Sequence, residues 1–288
     1  MTMLNKTAVF FGASPLGSAL VISLLITLLV LILARVVLLL SRLPAPEWLL
    51  DFSRRSRRWF ILGAGFTFMC LGGNLLAELM EGLTQVPAVS EWDQHFVVAA
   101  HSHLSNGELH FFHIITQMAG RAASMILGFG VGLYLLLNKD RRMLRLWVVG
   151  LIGNSLIIQF LKQLYQRPRP GFLVPYLTEQ NFSFPSGHAS ASILMYGLLA
   201  YIILVRFSAL DRSHRMLLAT SVIWLGILIG TSRLALGVHY PTDVLAGWCV
   251  AISWLGVLVS ADRYGQYRIG ILEDRGQRAT GTLSQATE

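Results

Sequence analysis

The chain has 288 residues, of which 54% are hydrophobic and 13% charged. A soluble domain carries about 25% charged residues, so this composition excludes an ordinary water-soluble globule and points to a membrane protein. The net charge of +8 does not indicate nucleic acid as a partner, because sixteen of the 23 Lys and Arg residues fall in four stretches separated by apolar runs.

Seven runs approach the ~20 residues that a helix needs to cross a bilayer. The first, residues 18–40, follows a single basic residue, Lys6, and has no small-residue cleavage site, so it reads as an uncleaved helix rather than a signal peptide. Arg42, Arg54, Arg55, Arg57 and Arg58 come next, then the second run, residues 60–83. Residues 84–121 mix polar and apolar residues at helix-like spacing and are expected to form interfacial helices. Their His101, His103, His110 and His113 lack an acidic or cysteine partner at ligand spacing, so surface packing or a substrate lid is the favoured reading over a metal site.

The third run, 122–138, is followed by Lys139, Arg141, Arg142 and Arg145, and the fourth is 146–164. A loop rich in proline and aromatics, 163–188, leads to the fifth run, 189–205. Arg206, Arg212 and Arg215 precede the sixth, 216–234; a short link, 235–242, precedes the seventh, 244–260. The tail contains Arg263, Arg268, Arg275 and Arg278 and reads as disordered. Pairs of crossings separate the four basic stretches, so all four lie on one side. The positive-inside rule makes that side cytoplasmic.

Five basic residues map to the other side or its edge: Arg121, Lys162, Arg167, Arg169 and Arg233. Four of them flank loops that also hold His188, His239 and Asp243. Ionisable residues at membrane depth are costly and usually functional, and this gathering of positive charge points to an anionic ligand. The three stretches read K-Q-L-Y-Q-R-P-R-P from Lys162, P-S-G-H from Pro185 to His188, and S-R-L-A-L-G-V-H-Y-P-T-D from Ser232 to Asp243.

Lys162, Arg169 and Arg233 offer donors for phosphoryl oxygens, the arginines in bidentate fashion. Ser186 adds a hydroxyl, Gly187 lets the backbone approach closely, and the N–H groups at the helix start can face an anion. Arg167 is out of register with the motif arginine and reads as an accessory phosphate contact or a rim charge. Arg121 is a candidate contact to a second phosphate or a head group. Glu78, Glu81 and Asp93 either balance the basic site or serve packing. A zinc site from His188, His239 and Asp243 is conceivable, but three adjacent cations would repel the metal, so no metal and no cofactor is expected. Pro241 favours a helix start that places Asp243 in its first turn. Its carboxylate can then hold one imidazole nitrogen of His239 and leave the other free to attack.

Taken together, K-x6-R-P, P-S-G-H and S-R-x5-H-x3-D resemble the signature of the type 2 phosphatidic acid phosphatase superfamily, across roughly residues 60–260. The resemblance implies an all-α, polytopic membrane bundle with a six-helix core, plus one extra N-terminal transmembrane helix in this chain. The expected organisation is then an N-terminal helix and basic loop (1–58), a phosphatase membrane domain (59–262) and a disordered cytoplasmic tail (263–288). The resemblance also implies metal-independent catalysis. His239 would form a phosphohistidine, Asp243 orient it and His188 protonate the leaving oxygen, while Lys162, Arg169, Ser186, Gly187 and Arg233 bind the phosphate.

The expected substrate is a lipid phosphate or diphosphate, with undecaprenyl diphosphate favoured. Its head group would sit at the depth of the site, with membrane lipids around it. The expected location is a bacterial inner membrane, with the site facing the periplasm or exterior. The alternatives are a phosphotransferase to a lipid or sugar acceptor, and a non-catalytic lipid-phosphate binding or transport protein. The paired histidine and aspartate argue against the last.

Overall fold

The computed structural model describes residues 47–171 and 179–285 with isolated positions before residue 47, and side chains, with few gaps, over 63–171 and 179–267. The first apolar run, 18–40, lies outside the described residues, as do the side chains of Arg42 and Arg54 to Arg58. All the described regular structure is helical: α1 (Glu47–Gln85), α2 (Pro87–Ser102), α3 (Asn106–Gln117), α4 (Arg121–Leu137), α5 (Arg141–Tyr165), α6 (Gly187–Arg206), α7 (Arg212–Ala235) and α8 (Pro241–Gln285).

Local signals set these boundaries. Asp140 caps α5 by accepting from the Met143 N–H at 3.2 Å, and Asp211 caps α7 by accepting from the His214 N–H at 2.9 Å. Ser105 and Glu108 form a reciprocal capping box at the start of α3. Among the described residues five stretches have the length and composition to cross a membrane: Asn106–Leu137, Arg141–Tyr165, Gly187–Arg206, Arg212–Ala235 and Pro241–Tyr267. They correspond to the last five runs read from the sequence.

Two expected boundaries fall inside continuous helices. Residues 47–58, expected as basic loop, form the first turns of α1. Helix α8 continues to Gln285, where composition suggests a disordered tail from residue 263. No proline interrupts this segment, and its Arg, Leu, Glu and Gln residues favour helix.

Helix α8 packs against α1, α2, α5, α6 and α7 and forms the axis of the bundle. The largest core cluster joins Trp147 of α5, Leu194, Met195 and Leu198 of α6, and Ala251 and Leu258 of α8. Small residues and interhelical hydrogen bonds bring these helices together, as expected where lipid supplies no hydrophobic drive. The Trp254 ring lies against Gly153 and donates to the Gly150 carbonyl at 3.1 Å. Trp147 donates to the Gly128 carbonyl at 2.8 Å, and Ser190 donates to Asn154 at 2.7 Å.

The two ends of the bundle differ. At one end, Asp262 of α8 accepts from Arg142 of α5 and, at 2.7 Å, from Tyr201 of α6, while Arg206 pairs with Asp140 at 2.9 Å. At the other end, α2 and α3 lie over the α7–α8 turn. Phe96, Val97 and Ala100 pack with Tyr240, and Leu109 and Phe112 pack with Ala235, Leu236 and Val238. This second end holds the P-S-G-H turn and the histidine–aspartate pair.

Gly247 lets α8 meet that turn: a Cβ at residue 247 would stand 2.5 Å from the Ser186 carbonyl oxygen. A backbone oxygen cannot swing aside, so Gly247→Ala is expected to cost ~1–3 kcal/mol by overpacking. The check is thermal unfolding in detergent, with Gly73→Ala as the control because nothing lies within 4 Å of a Cβ at residue 73.

Candidate active site

Four helix ends converge here: the last turns of α5 and α7 and the first turns of α6 and α8. Helix α7 ends in a glycine-closed turn. The Gly237 N–H donates to the Leu234 carbonyl at 3.0 Å, and the Val238 N–H donates to the Arg233 carbonyl at 3.2 Å. Gly237 has φ 68°, a conformation that disfavours residues with a Cβ. The chain therefore reverses within four residues and places His239 beneath the start of α8. The Ser186 N–H donates to the Asp243 carbonyl at 2.9 Å and ties the P-S-G-H turn to the same place.

His239 and Asp243 are both buried. Nδ1 of His239 lies 3.3 Å from Oδ2 of Asp243, and Nε2 lies 3.2 Å from Nη1 of Arg169. A guanidinium only donates, so Nε2 accepts with its lone pair and the ring proton sits on Nδ1, facing Asp243. Burial holds the His239 pKa well below its ordinary range, and Arg233, Arg169 and Lys162 push it the same way. The ring is neutral, with its free lone pair aimed at a cation.

Arg169 meets that lone pair, and Lys162 and Arg233 are further charged neighbours of the ring. Arg169 donates from Nε to the Asn181 carbonyl at 2.6 Å, from Nη1 to Val238 at 2.7 Å and from Nη2 to Phe182 at 3.3 Å. Lys162 also donates to the Phe182 carbonyl, and to that of Ser183 at 3.5 Å. Arg233 is 1% exposed. It donates from Nη1 to Thr116 at 2.9 Å and from Nη2 to Glu179 at 2.8 Å, while its Nε–H is buried with no acceptor among the described residues. Burial acts to raise the Glu179 pKa, but Arg233 and Arg169 outweigh it and hold the carboxyl below its ordinary value.

Ser186 caps α6, its hydroxyl accepting from the Ala189 N–H at 3.4 Å, and Gly187 is the first helical residue. His188 follows, half-buried, with Arg233, Glu179, Arg169 and Lys162 as its charged neighbours. The eight residues singled out from the motifs thus gather in one place.

The other candidates fare differently. Arg167, read from the sequence as an accessory phosphate contact or a rim charge, pairs with Asp243 at 2.6 Å and with Asp93 at 2.8 Å. Arg121 is exposed at the start of α4, and Glu78 and Glu81 are exposed on α1. His103 bonds the Ala99 carbonyl at 2.8 Å, and His113 lies 3.4 Å from Gln117. Among the described residues no three His, Cys, Asp or Glu side chains gather as a metal-holding group.

Sequence reasoning missed Thr116, Glu179 and Thr242, and left Asp93 undecided. Only Asp93 carries a sequence signal. It shares an apolar helix stripe with Phe96, Val97 and Ala100, where a carboxylate needs a buried partner.

The fold and site define a helical membrane protein with a cation-rich histidine–carboxylate site at one end of its bundle. The sequence profile of the PAP2 superfamily matches residues 144–266. That segment contains all eight motif residues. The phosphatidylglycerophosphatase B of Bacillus subtilis (strain 168) is 32% identical over 128 residues, covering 44% of this chain and 61% of that protein. The undecaprenyl-diphosphatase of Sulfolobus acidocaldarius is 32% identical over 128 residues, covering 37% of this chain and 53% of that protein. The matches therefore span about three-fifths and one-half of these relatives. A crystal structure of a transmembrane PAP2 type phosphatidylglycerolphosphate phosphatase from Bacillus subtilis has the same fold. Its TM-score is 0.60 at 24% identity, covering 69% of this chain and 96% of that one.

The electrostatics predict that His239 titrates below the ordinary histidine value of about 6.5. Its folded pKa is the lower one, so the stability contributed by the neutral ring is present above the unfolded value and lost as pH falls through the folded one. Arg169→Gln removes a positive neighbour and is expected to raise the His239 pKa. Histidine 15N NMR of the micelle-bound protein measures both.

Proposed function

We propose that this protein is an integral-membrane lipid phosphate or diphosphate phosphatase that works through a phosphohistidine on His239. The observation that carries the reading is the unprotonated Nε2 of a buried His239, held by Asp243 and met by Arg169, with Lys162 and Arg233 as further charged neighbours. Phosphoryl transfer needs mainly positioning of the group and neutralisation of its equatorial oxygens, and this arrangement supplies both with a nucleophile at its centre.

Nε2 attacks phosphorus as the bond to the leaving oxygen breaks, and His188 gives its proton to that oxygen. The Nδ1 proton stays on the ring, where Asp243 stabilises the charge that develops. Water then attacks the phosphohistidine, neutral His188 takes its proton, and the N–P bond breaks to release inorganic phosphate. Arg169, which meets Nε2 at 3.2 Å, turns its N–H groups onto the phosphoryl oxygens. Lys162, the free Nε–H of Arg233, the Ser186 hydroxyl and the N–H groups that open α6 from Gly187 complete the cradle.

The two curated relatives, whose names specify phosphatidylglycerophosphate and undecaprenyl diphosphate chemistry, support a lipid carrier for the phosphate. Undecaprenyl diphosphate or a related lipid phosphate is the proposed substrate. The basic end of the bundle, with Arg142, Arg206 and Arg212, lies opposite the site. By the positive-inside rule the site then faces the periplasm or exterior of a bacterial inner membrane.

Phosphate release by the purified protein from undecaprenyl diphosphate, phosphatidylglycerol phosphate and phosphatidic acid tests the reading. His239→Ala is expected to lower kcat at least ~10³-fold, as loss of a nucleophile does elsewhere. The kcat/KM profile is expected to be bell-shaped. Its acidic limb should lie below the ordinary histidine range, because the His239 pKa is depressed. A flat profile between about pH 5 and 9 with chemistry rate-limiting would refute the paired-histidine mechanism. Phosphate recovered on a lipid or sugar instead of free would make the protein a transferase.

A further inference from the structure

Asp93 lies on α2, outside the segment that matches the PAP2 superfamily, and it is fully buried. Its Oδ2 accepts from Nη2 of Arg167 at 2.8 Å and from the Thr242 hydroxyl, and its Oδ1 accepts from the Thr242 N–H at 3.3 Å. Nη1 of Arg167 donates to Oδ1 of Asp243 at 2.6 Å and to the Thr242 hydroxyl at 2.8 Å. The guanidinium lies 4.0 Å from the centre of the Tyr240 ring. The other oxygen of Asp243, Oδ2, takes the Tyr240 N–H at 2.9 Å and faces Nδ1 of His239.

Two physical needs meet in this chain of contacts. The first turn of α8 exposes N–H groups that a Ser, Thr, Asp or Asn at the helix entrance would ordinarily satisfy. Tyr240 precedes Pro241 and cannot do so. Asp93 reaches across from α2 and supplies the missing acceptor at Thr242, where a carboxylate is also favoured by the helix dipole. The second need is a donor for Oδ1 of Asp243, a buried acceptor. The planar fork of Arg167 answers it while holding Asp93 with its other arm, a geometry that a lysine cannot reproduce. Burial works against the charge of Arg167, and Asp243 and Asp93 more than offset it.

We infer that Asp93 and Arg167 are positioning residues for the reaction: they hold the Asp243 carboxylate in the one rotamer that keeps the His239 proton on Nδ1. This rests on His239 being the nucleophile. Arg167 acts through Asp243 and does not touch the phosphate, although only Pro168 separates it from Arg169. Helix α2 is thereby part of the catalytic unit.

The experiment measures phosphate release from short-chain phosphatidic acid, and inhibition by vanadate as a probe of the phosphate cradle, on purified full-length protein. Arg167→Gln is expected to lower kcat by about 30-fold or more, with KM and the vanadate inhibition constant held within about threefold. In an Asp243→Asn background the same change is expected to alter kcat by less than about threefold, because the carboxylate through which it acts is gone. Asp93→Asn, nearly the same shape, carries the same two expectations and serves if Arg167→Gln fails to fold.

Three results would overturn the proposal. One is a kcat for both variants above about a third of wild type. Another is an equal loss of kcat with and without the Asp243 carboxylate, which marks a purely structural role. The third is a vanadate constant raised about tenfold at unchanged kcat, which marks Arg167 as a phosphate ligand. Undiminished hydrolysis by His239→Ala would overturn the nucleophile assignment itself and is read separately.

Discussion

A carboxylate without solvent exposure inside a membrane bundle costs several kcal/mol unless it is paired and hydrogen-bonded, and Asp243 is such a group. Its partners come from separate parts of the chain. His239 and the Tyr240 N–H belong to the turn after α7, Arg167 follows α5, and the Asp243 carbonyl takes the Ser186 N–H that precedes α6. Satisfying one buried acid therefore fixes the ends of α5 and α7 relative to the start of α8, and the backbone carbonyl of the same residue adds the start of α6. Through Arg167 and Asp93 it also fixes α2. The same contacts that neutralise the charge build the site.

The cations around His239 fall into two groups according to what they hold. Arg167 faces two carboxylates, so its charge is spent within the protein. Lys162 and Arg169 hold mainly backbone carbonyls, which carry partial charge only. A phosphate is a stronger acceptor than a carbonyl and can displace them. Arg233 stands between the groups, with one arm on Glu179, one on Thr116 and a buried Nε–H that has no acceptor among the described residues. The corner thus keeps a positive potential that suits an anion. The lone pair of His239 lies within it, and Asp243, itself paired with Arg167, holds the other ring nitrogen.

The opposite end of the bundle lets this arrangement persist. Asp262 joins α5, α6 and α8 through Arg142 and Tyr201, so the helices that deliver Lys162, His188 and Asp243 are also tied at their far ends. Between the two polar ends the helices approach closely at Gly150, Gly153 and Gly247. In lipid such contacts must come from shape and hydrogen bonds, because burial of apolar surface offers little.

Much of this was legible in the residues themselves. The last five crossings follow from apolar runs of bilayer length. Ser186, Gly187, Gly237 and Pro241 are capping and turn residues that act within a few positions of their own place in the chain. Lys162, Arg169, His188, Arg233, His239 and Asp243 lie beside those local signals, so their spacing carried the site. Arg167 did not yield to the same reasoning, because spacing along a loop does not say which way a guanidinium fork turns. Asp93 and Thr242 are 149 positions apart, and Glu179 shares no pattern with Arg233. The sequence by itself determined the helices, the sidedness of the charge and the residues that could do chemistry, since periodicity, caps and composition act locally. Only the tertiary structure decided which cations hold backbone carbonyls and which pairs with the aspartate. That choice depends on which buried charges are brought within hydrogen-bond reach, and long-range packing alone sets those distances.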